Sequence, residues 1–220
     1  MLDDFSKRTK AIRAMLELAQ EAGWKALSLA DIASRAGLNL ADLRQEFSCK
    51  SEILRAFQKE VDSEVLSKVS VTPGQGMRDK VFDIVMTRFE VMGPYKPALR
   101  RIANDLACRP GEAASLACSS LASQYWMLAG AGAKLDGPGA GVRVAGLAAV
   151  YGKTFQVWLD DNSPGLDRTM ATLDRKLRKG EDWLVGMERL CRCACGFMPR
   201  GWGRRTEPKP APTSSAAPAM

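Results

Sequence analysis

Residues 28–47, SLADIASRAGLNLADLRQEF, constrain the fold more than any other stretch of the chain. Ser28 and Asp31 have the spacing of a capping box, which predicts the start of a helix. Gly37 supplies the left-handed conformation that ends a helix, and an apolar stripe marks a second helix that ends at Phe47. Two helices joined by a short glycine-containing turn form a helix-turn-helix, whose second helix can lie in the DNA major groove.

The sequence around this motif resembles the DNA-binding head of the TetR family of regulators. An amphipathic helix and a Gly23-Trp24 step precede S-L-x-D-I-A-x-x-A-G-L at 28–38. A short helix ending in Phe47 and an x-x-K-x-E lead-in at 48–52 follow it. The resemblance covers about residues 9–57 and implies a head that binds DNA.

The second helix of the motif departs from the family pattern. Where the family usually has Lys, Thr and Tyr, this chain has Leu40, Asp42 and Arg44. Asp42 and Glu46 are four residues apart and share a helix face, and carboxylates that face phosphates oppose binding. The residues that we expect to contact DNA are Asn39, Leu40, Arg44, Gln45 and Lys50.

The excess positive charge of the chain lies in the residues that follow the helix-turn-helix head. The net charge is +7, yet residues 1–70 carry 11 basic and 11 acidic side chains. A DNA-binding domain usually has a basic reading face. DNA binding by a neutral head therefore requires its charges to be segregated onto different faces.

Several classes of function are disfavoured by composition. The chain has no histidine, which removes histidine-based catalysis and the commonest transition-metal ligand. Cys191, Cys193 and Cys195 are spaced two apart, so on a helix they point to different sides, and we expect neither a metal nor a disulfide framework. No apolar run reaches the roughly 18 residues of a membrane span. We expect an all-α cytoplasmic protein that is not an enzyme, with no catalytic residues and no cofactor.

Breaks in the pattern predict the domain organisation. A helix-turn-helix domain at 1–70 ends at V-T-P-G-Q-G, and a helical ligand-binding and dimerisation domain spans 77–180. An amphipathic helix at 181–198 and a disordered, Pro- and Ala-rich tail at 199–220 follow.

Helices within the second domain are expected from apolar periodicity. They lie at 77–91, 96–108, 112–130, 142–161 and 166–179, with Arg109-Pro110-Gly111 as a stop. Asp160 and Asp161 diverge by about 100° on a helix, so we interpret them as a helix end and turn rather than a metal pair.

The second domain carries another resemblance. It contains L-A-A-V-Y-x-x-T from Leu147, V-W-L-D-D-x-S-P from Val157 and T-M-A-x-L-D-x-K-L from Thr169. Over about residues 80–180 these motifs look like the lipid-binding accessory family of ubiquinone biosynthesis. That family has a TetR-like fold, has lost DNA binding, and holds an isoprenoid in its C-terminal domain.

This resemblance implies an apolar small molecule or lipid as ligand. An apolar pocket with few polar groups suits such a molecule. The same side chains are equally consistent with an ordinary core. The expected ligand-binding residues are Phe82, Met86, Phe89, Leu99, Ile102, Trp126, Leu147, Tyr151 and Phe155.

Two further contacts are expected. TetR-like proteins pair through their last two large helices, here 142–161 and 166–179, where small residues such as Gly146, Ala149 and Gly152 permit close packing, so we expect a homodimer. The segment Trp183–Arg205 combines an apolar stripe with arginines, which fits peripheral membrane contact or a helix docked on a partner subunit.

These observations leave two hypotheses. The first is a TetR-like DNA-binding transcriptional regulator whose C-terminal domain senses an apolar ligand. The second is a lipid-binding accessory protein of ubiquinone biosynthesis with a degenerate helix-turn-helix head.

Overall fold

The computed structural model describes residues 6–69, 74–137 and 139–180, and for residue 115 it describes the backbone only. These residues are largely helical and contain no strand, which confirms the all-α class. The helices are α1 (Lys7–Ala22), α2 (Leu29–Arg35), α3 (Leu40–Glu46), α4 (Lys50–Lys68), α5 (Met77–Met92), a 3₁₀ turn (Gly93–Tyr95), α6 (Lys96–Ala107), α7 (Pro110–Gly130), α8 (Ala140–Asp160) and α9 (167–180).

The helix-turn-helix forms as the sequence predicts. The Ser28 hydroxyl accepts from the Asp31 amide and the Asp31 carboxylate accepts from the Ser28 amide, so both halves of the capping box are present at the start of α2. Gly37 adopts φ 65° in the turn. The Asn39 side chain caps α3 by accepting from the Asp42 amide at 2.7 Å, and Phe47 ends α3 in an extended conformation.

One continuous apolar core joins the head to the rest of the chain. α1 packs against α2, α3, α4 and α6. Large side chains that are almost completely buried in the head are Ile12, Met15, Trp24, Ile32, Leu43, Phe47, Ile53 and Phe57.

Helix α4 extends from the head into the second part of the molecule. Its side chains meet α7 in parallel register, since Gln58 contacts Ser119 and Asp62 contacts Ser123. α5 runs back along both helices, with Ile84 near Gly130. The predicted domain boundary at 71–76 falls largely outside the described residues, and the division at that point stays a prediction.

Several helix boundaries differ by one or two residues from the sequence-based expectation, and the starts of α7 and α9 have a local explanation. Arg109-Pro110-Gly111 was expected to be a stop, but α7 begins at Pro110, with Arg109 as its N-cap residue. Proline suits the first helical position because it lacks an N–H that the helix would leave unpaired there. The last described helix begins at 167 rather than 166 because Leu166 adopts a left-handed φ of 52°.

Asp161 holds the connection between α8 and α9. Its carboxylate accepts from the amides and hydroxyls of Ser163 and Thr169 at 2.6–3.2 Å. Burial acts to raise the pKa of Asp161, but these hydrogen bonds outweigh it and hold the pKa well below its usual range. Asp160 lies exposed and faces Arg100, so the two carboxylates diverge, as expected for a helix end.

The expected helix at 181–198 and tail at 199–220 lie outside the described residues, as does the segment Trp183–Arg205. Within the described ranges, the helices are all too short or too polar to cross a membrane.

Replacing Ser28 with alanine should lower the free energy of unfolding by about 1 kcal/mol, because it removes the cap of α2. Urea denaturation followed by circular dichroism measures this change. The matched control is Ser34→Ala, an exposed serine of the same helix, for which we expect a change within about 0.5 kcal/mol. Equal losses in the two variants would contradict a stabilising role for the capping box.

Candidate functional site

Helix α3 presents a compact outer face. Leu40 is 56% exposed, and Arg44 and Gln45 are exposed one turn further along. Residues four apart lie next to one another on a helix, so these three side chains share one surface with the Asn39 cap. Arginine and glutamine can make paired hydrogen bonds to base edges, and an apolar side chain can contact a thymine methyl group.

One of the two acidic residues of α3, Asp42, forms an ion pair with a residue of α1. The Lys7 ammonium donates to the Asp42 carboxylate at 2.7 Å. This ion pair reduces the repulsion that Asp42 would otherwise exert on a phosphate. Among the described residues no cation pairs with the half-buried Glu46, whose carboxylate lies beside the outer face.

Other acidic groups of the head bind within the head. Glu21 accepts from Arg35 through two hydrogen bonds of 2.7 and 2.9 Å, away from α3. Asp31 is part of the capping box, and Glu52 accepts from the Ser48 amide at 2.7 Å. A head with zero net charge can therefore expose Arg44 on the outer face of α3, with Glu46 half-buried beside it.

Lys50 has a structural role that the sequence did not indicate. Its ammonium donates to the backbone carbonyls of Trp24 at 2.9 Å and Leu27 at 3.4 Å, and it lies 4.8 Å from the centre of the Trp24 ring. Burial lowers the pKa of Lys50. Two of its three N–H groups are used in this way, and the expected phosphate contact stays a prediction.

The turn after α1 is attached to the second part of the molecule by a set of polar contacts that we call the latch: Trp24, Lys25, Asp105 and Glu112. The Trp24 indole N–H donates to Glu112 at 2.9 Å, and the Lys25 amide donates to Asp105 at 3.0 Å. Gly23, at φ 83°, permits the approach, since a Cβ there would meet Asp105 at 2.9 Å. The latch therefore connects α6 and the start of α7 to the turn that precedes α2.

The expected ligand-binding residues occupy different environments. Phe89 stacks against Tyr151 at 5.6 Å, and Phe155 stacks on Tyr151 at 5.9 Å, so these three pack directly on one another. Trp126 is 55% exposed and makes an edge contact with Tyr125 on the outer side of α7. Met86, Leu99, Ile102 and Leu147 are buried, and Phe82 is half-buried.

A buried polar network lies beside the aromatic stack. The Arg88 guanidinium donates to the Asp62 carboxylate and, at 3.1 Å, to the Tyr151 hydroxyl. Ser123 donates to the same carboxylate at 2.8 Å. Burial raises the pKa of Tyr151, against the opposing effect of Arg88. The network joins α4, α5, α7 and α8, and of its members the sequence pointed only to Tyr151.

An open groove of about 220 Å³ lies where α4 and α7 end against α5. It lies apart from the expected ligand-binding residues, and its lining is partly polar. The residues that line it are Lys68, Val69, Gln75, Lys80, Asp83, Ile84, Thr87, Gly130 and Ala131.

Helix α8 exposes a stripe of small and apolar residues. They recur at helical spacing on one side: Val142, Ala145, Gly146, Ala149 and Gly152. A Cβ at Gly146 or Gly152 would meet no atom of the described residues within 4 Å, so they leave this face open. A second helix could approach it closely.

The described residues contain no cluster of three or more side chains that could hold a metal ion. Cys49, Cys108 and Cys118 are free and exposed. Cys191, Cys193 and Cys195 lie outside the described ranges.

Comparison with solved structures identifies the fold. The TetR transcriptional regulator from Nitrosomonas europaea ATCC 19718 aligns with a TM-score of 0.63 and 20% identity, covering 79% of this chain and 97% of that chain. A TetR transcriptional regulator from Rhodococcus sp. RHA1 aligns with a TM-score of 0.56 and 17% identity, covering 79% of this chain and 94% of that chain. A tetR-family transcriptional regulator from Streptomyces coelicolor aligns with a TM-score of 0.54 and 16% identity, covering 88% of this chain and 93% of that chain.

The family model COQ9 matches residues 143–182. This confirms the second resemblance over a shorter segment than the 80–180 expected from the motifs. No curated protein sequence is significantly similar to this chain. The chain therefore has the TetR-like fold that its helix-turn-helix implied, with a COQ9-like segment at α8 and α9.

Replacing Trp24 with phenylalanine should lower the free energy of unfolding at neutral pH, because the hydrogen bond to Glu112, worth about 1 kcal/mol, is lost in addition to buried volume of the indole. The Trp24 indole, and then Arg109, lower the pKa of Glu112 below its ordinary value of 4.5. A lowered carboxyl pKa stabilises the fold above the ordinary value, and this stabilisation is lost as the pH falls through the lowered pKa.

The stability difference between the original protein and Trp24→Phe should therefore shrink below about pH 4.5. Urea denaturation at a series of pH values measures it. Trp126→Phe, which changes an exposed tryptophan, is the control and should show no such dependence. A difference that is constant from pH 7 to about pH 3 would rule out the Trp24–Glu112 hydrogen bond as its source.

Proposed function

We propose that this protein is a DNA-binding transcriptional regulator of the TetR type, whose second part binds an apolar small molecule. The observation that carries the proposal is the outer face of α3, where Leu40, Arg44 and Gln45 stand exposed on the second helix of a complete helix-turn-helix. The TetR-like fold of the whole described chain supports it.

In this proposal, α3 enters the major groove. Arg44 pairs with a guanine edge or a phosphate, Gln45 with an adenine, and Leu40 with a thymine methyl group. The Lys7–Asp42 ion pair at the rim keeps the acidic residue from repelling the backbone. Because the head has no large basic excess, we expect sequence-specific contacts to contribute more than non-specific attraction to phosphates.

The proposal includes a homodimer. One recognition helix reads only half a site, and paired heads read two half-sites about 34 Å apart. The open face of α8 is suited to pairing, since its small residues allow two helices to approach closely. The cytoplasm is the proposed location because the DNA is there.

The latch and α4 are the proposed route between ligand and DNA. A ligand that shifts α6 or α7 would pull on Trp24 through Glu112 and on Lys25 through Asp105. Such a shift would change the spacing of the two heads. An effector therefore needs to favour only one of two head spacings to control DNA binding.

The accessory-protein hypothesis is less favoured because the COQ9 match covers only 143–182. It makes a different prediction, since it requires a bound lipid and no DNA binding. Peripheral membrane contact through Trp183–Arg205 would suit either function, and it stays a prediction.

Arg44→Ala should weaken binding to the specific site by about 1–3 kcal/mol, because a paired contact to a base or phosphate is lost. The measurement is a fluorescence anisotropy titration at moderate salt, with DNA from upstream of the protein's own gene and a scrambled duplex of equal length.

Lys59→Ala is the charge-matched control, because Lys59 is exposed on α4 and the substitution also removes one positive charge. It should leave specific binding almost unchanged. Weak binding that is equal for both duplexes and unaffected by Arg44→Ala would overturn the regulator proposal. Detection of a co-purified lipid in that same protein would then favour the accessory function.

Ala149→Glu should convert the dimer to a monomer, because it places a carboxylate in the centre of the open face of α8. Light scattering coupled to size exclusion at micromolar concentration measures the mass. Ala30→Glu, an exposed alanine of α2, is the control and should remain dimeric. A monomer mass for the original protein would exclude paired reading heads.

A further inference from the structure

Gln124 is an exception among the buried polar side chains. It is 0% exposed, and within the described part of the chain neither its amide nitrogen nor its amide oxygen has a hydrogen-bond partner. Each of the other buried polar side chains in the described ranges has one: Thr9, Asp62, Arg88, Ser123, Thr154, Asp161 and Thr169. Buried polar groups are nearly always paired, and leaving one unpaired is costly.

The position of Gln124 relates it to the groove. Ser123 points to Asp62 on α4, and Gln124 follows 100° further around α7. Ala131 lies seven residues, or about two turns, after Gln124, so both occupy the same side of α7. Ala131 lines the groove. The groove therefore opens about 10 Å along α7 from Gln124.

Helices α4, α5 and α7 line the groove, and the same helices supply Asp62, Arg88 and Ser123 of the polar network. On α4, Lys68 lines the groove six residues after Asp62, and on α5, Ile84 lines it one turn before Arg88. Met127 is buried on α7 between Gln124 and Ala131. Methionine is flexible and adapts its shape, so this turn can yield to a ligand that enters from the groove.

The chemistry of the surroundings limits what Gln124 can bind. A carboxamide offers two donors and one acceptor, so its complement is a carbonyl or hydroxyl group. Arg88 and Asp62 neutralise each other, so the buried network offers no unbalanced charge to an ionic ligand. Leu128 and Met127 make the adjoining turn of α7 apolar.

We propose that Gln124 is the interior anchor of a small-molecule site whose mouth is the groove between α4, α5 and α7. The ligand is a mostly apolar molecule with a neutral end that carries a carbonyl or hydroxyl group. This inference rests on the proposed regulator function, because it specifies the effector.

The test is Gln124→Met in protein stripped of bound small molecules on an apolar resin. Methionine has a similar volume and no amide, so the stripped variant should melt about 2–4 °C higher than the stripped original protein. The probe is decanamide, whose carboxamide end matches Gln124, and titration calorimetry measures its affinity. The variant should bind decanamide about tenfold more weakly than the original.

Two controls keep the test specific. Ser119→Ala alters a half-buried α7 hydroxyl that is already paired with Gln58 and Leu116, so it should retain decanamide binding and not melt higher. Thr87→Trp fills the groove and leaves Gln124 intact, so it should weaken decanamide binding while the melting temperature of the stripped protein does not rise.

Other results overturn the inference. A Gln124→Met variant that melts lower than the original would mean that Gln124 is satisfied by a bound water or another fixed partner. Equal decanamide affinity in both proteins, or no binding in the original, would also refute it. A DNA titration of stripped Gln124→Met tests the proposed regulator function separately. It measures binding by the head, which does not depend on whether Gln124 binds a ligand.

Discussion

The buried Arg88–Asp62 ion pair is the constraint on which the rest of this fold depends. Arg88 is almost wholly buried, and a lone buried guanidinium would be costly, so α5 must bring it against α4. Ser123 and Tyr151 complete the pair from α7 and α8. Removing one partner of such a pair typically costs about 3–5 kcal/mol. Four helices are thereby held in one register, and the groove and Gln124 take their positions from it.

The charge exposed by the head depends on which of its acidic and basic side chains pair with one another. Its acidic side chains are numerous enough to cancel its basic ones, but Glu21, Asp31, Glu52 and Asp42 bind to Arg35, Ser28, Ser48 and Lys7 within the head, whereas Glu46 does not. Net charge therefore says little about the reading face. What matters is which charges remain unpaired on α3, and there Arg44 is exposed.

The head could be predicted from the sequence because its signals are local. The capping box of Ser28 and the left-handed Gly37 each need only neighbouring residues to act, and both appear as expected. Lys50 and Gln124 could not be predicted. Their roles depend on contacts with residues distant in sequence, or on the lack of any contact, and helical periodicity gives no information on either. The same reason explains Trp126, which has the spacing of a core residue yet lies outside.

Besides the apolar packing of α1 on α6, polar contacts join the head to the second part, and those at Asp62 and at the latch differ in strength. The Asp62 contacts are buried, so water cannot replace them cheaply. The latch contacts of Lys25 and Glu112 lie near the surface, where water competes for each hydrogen bond and lowers its net worth to about 1 kcal/mol. The latch is therefore the weaker of these two sets of polar contacts. Asp62 fixes α4 to α5 and α7, whereas α1 and the turn after it are held by the latch together with the packing of α1 on α6.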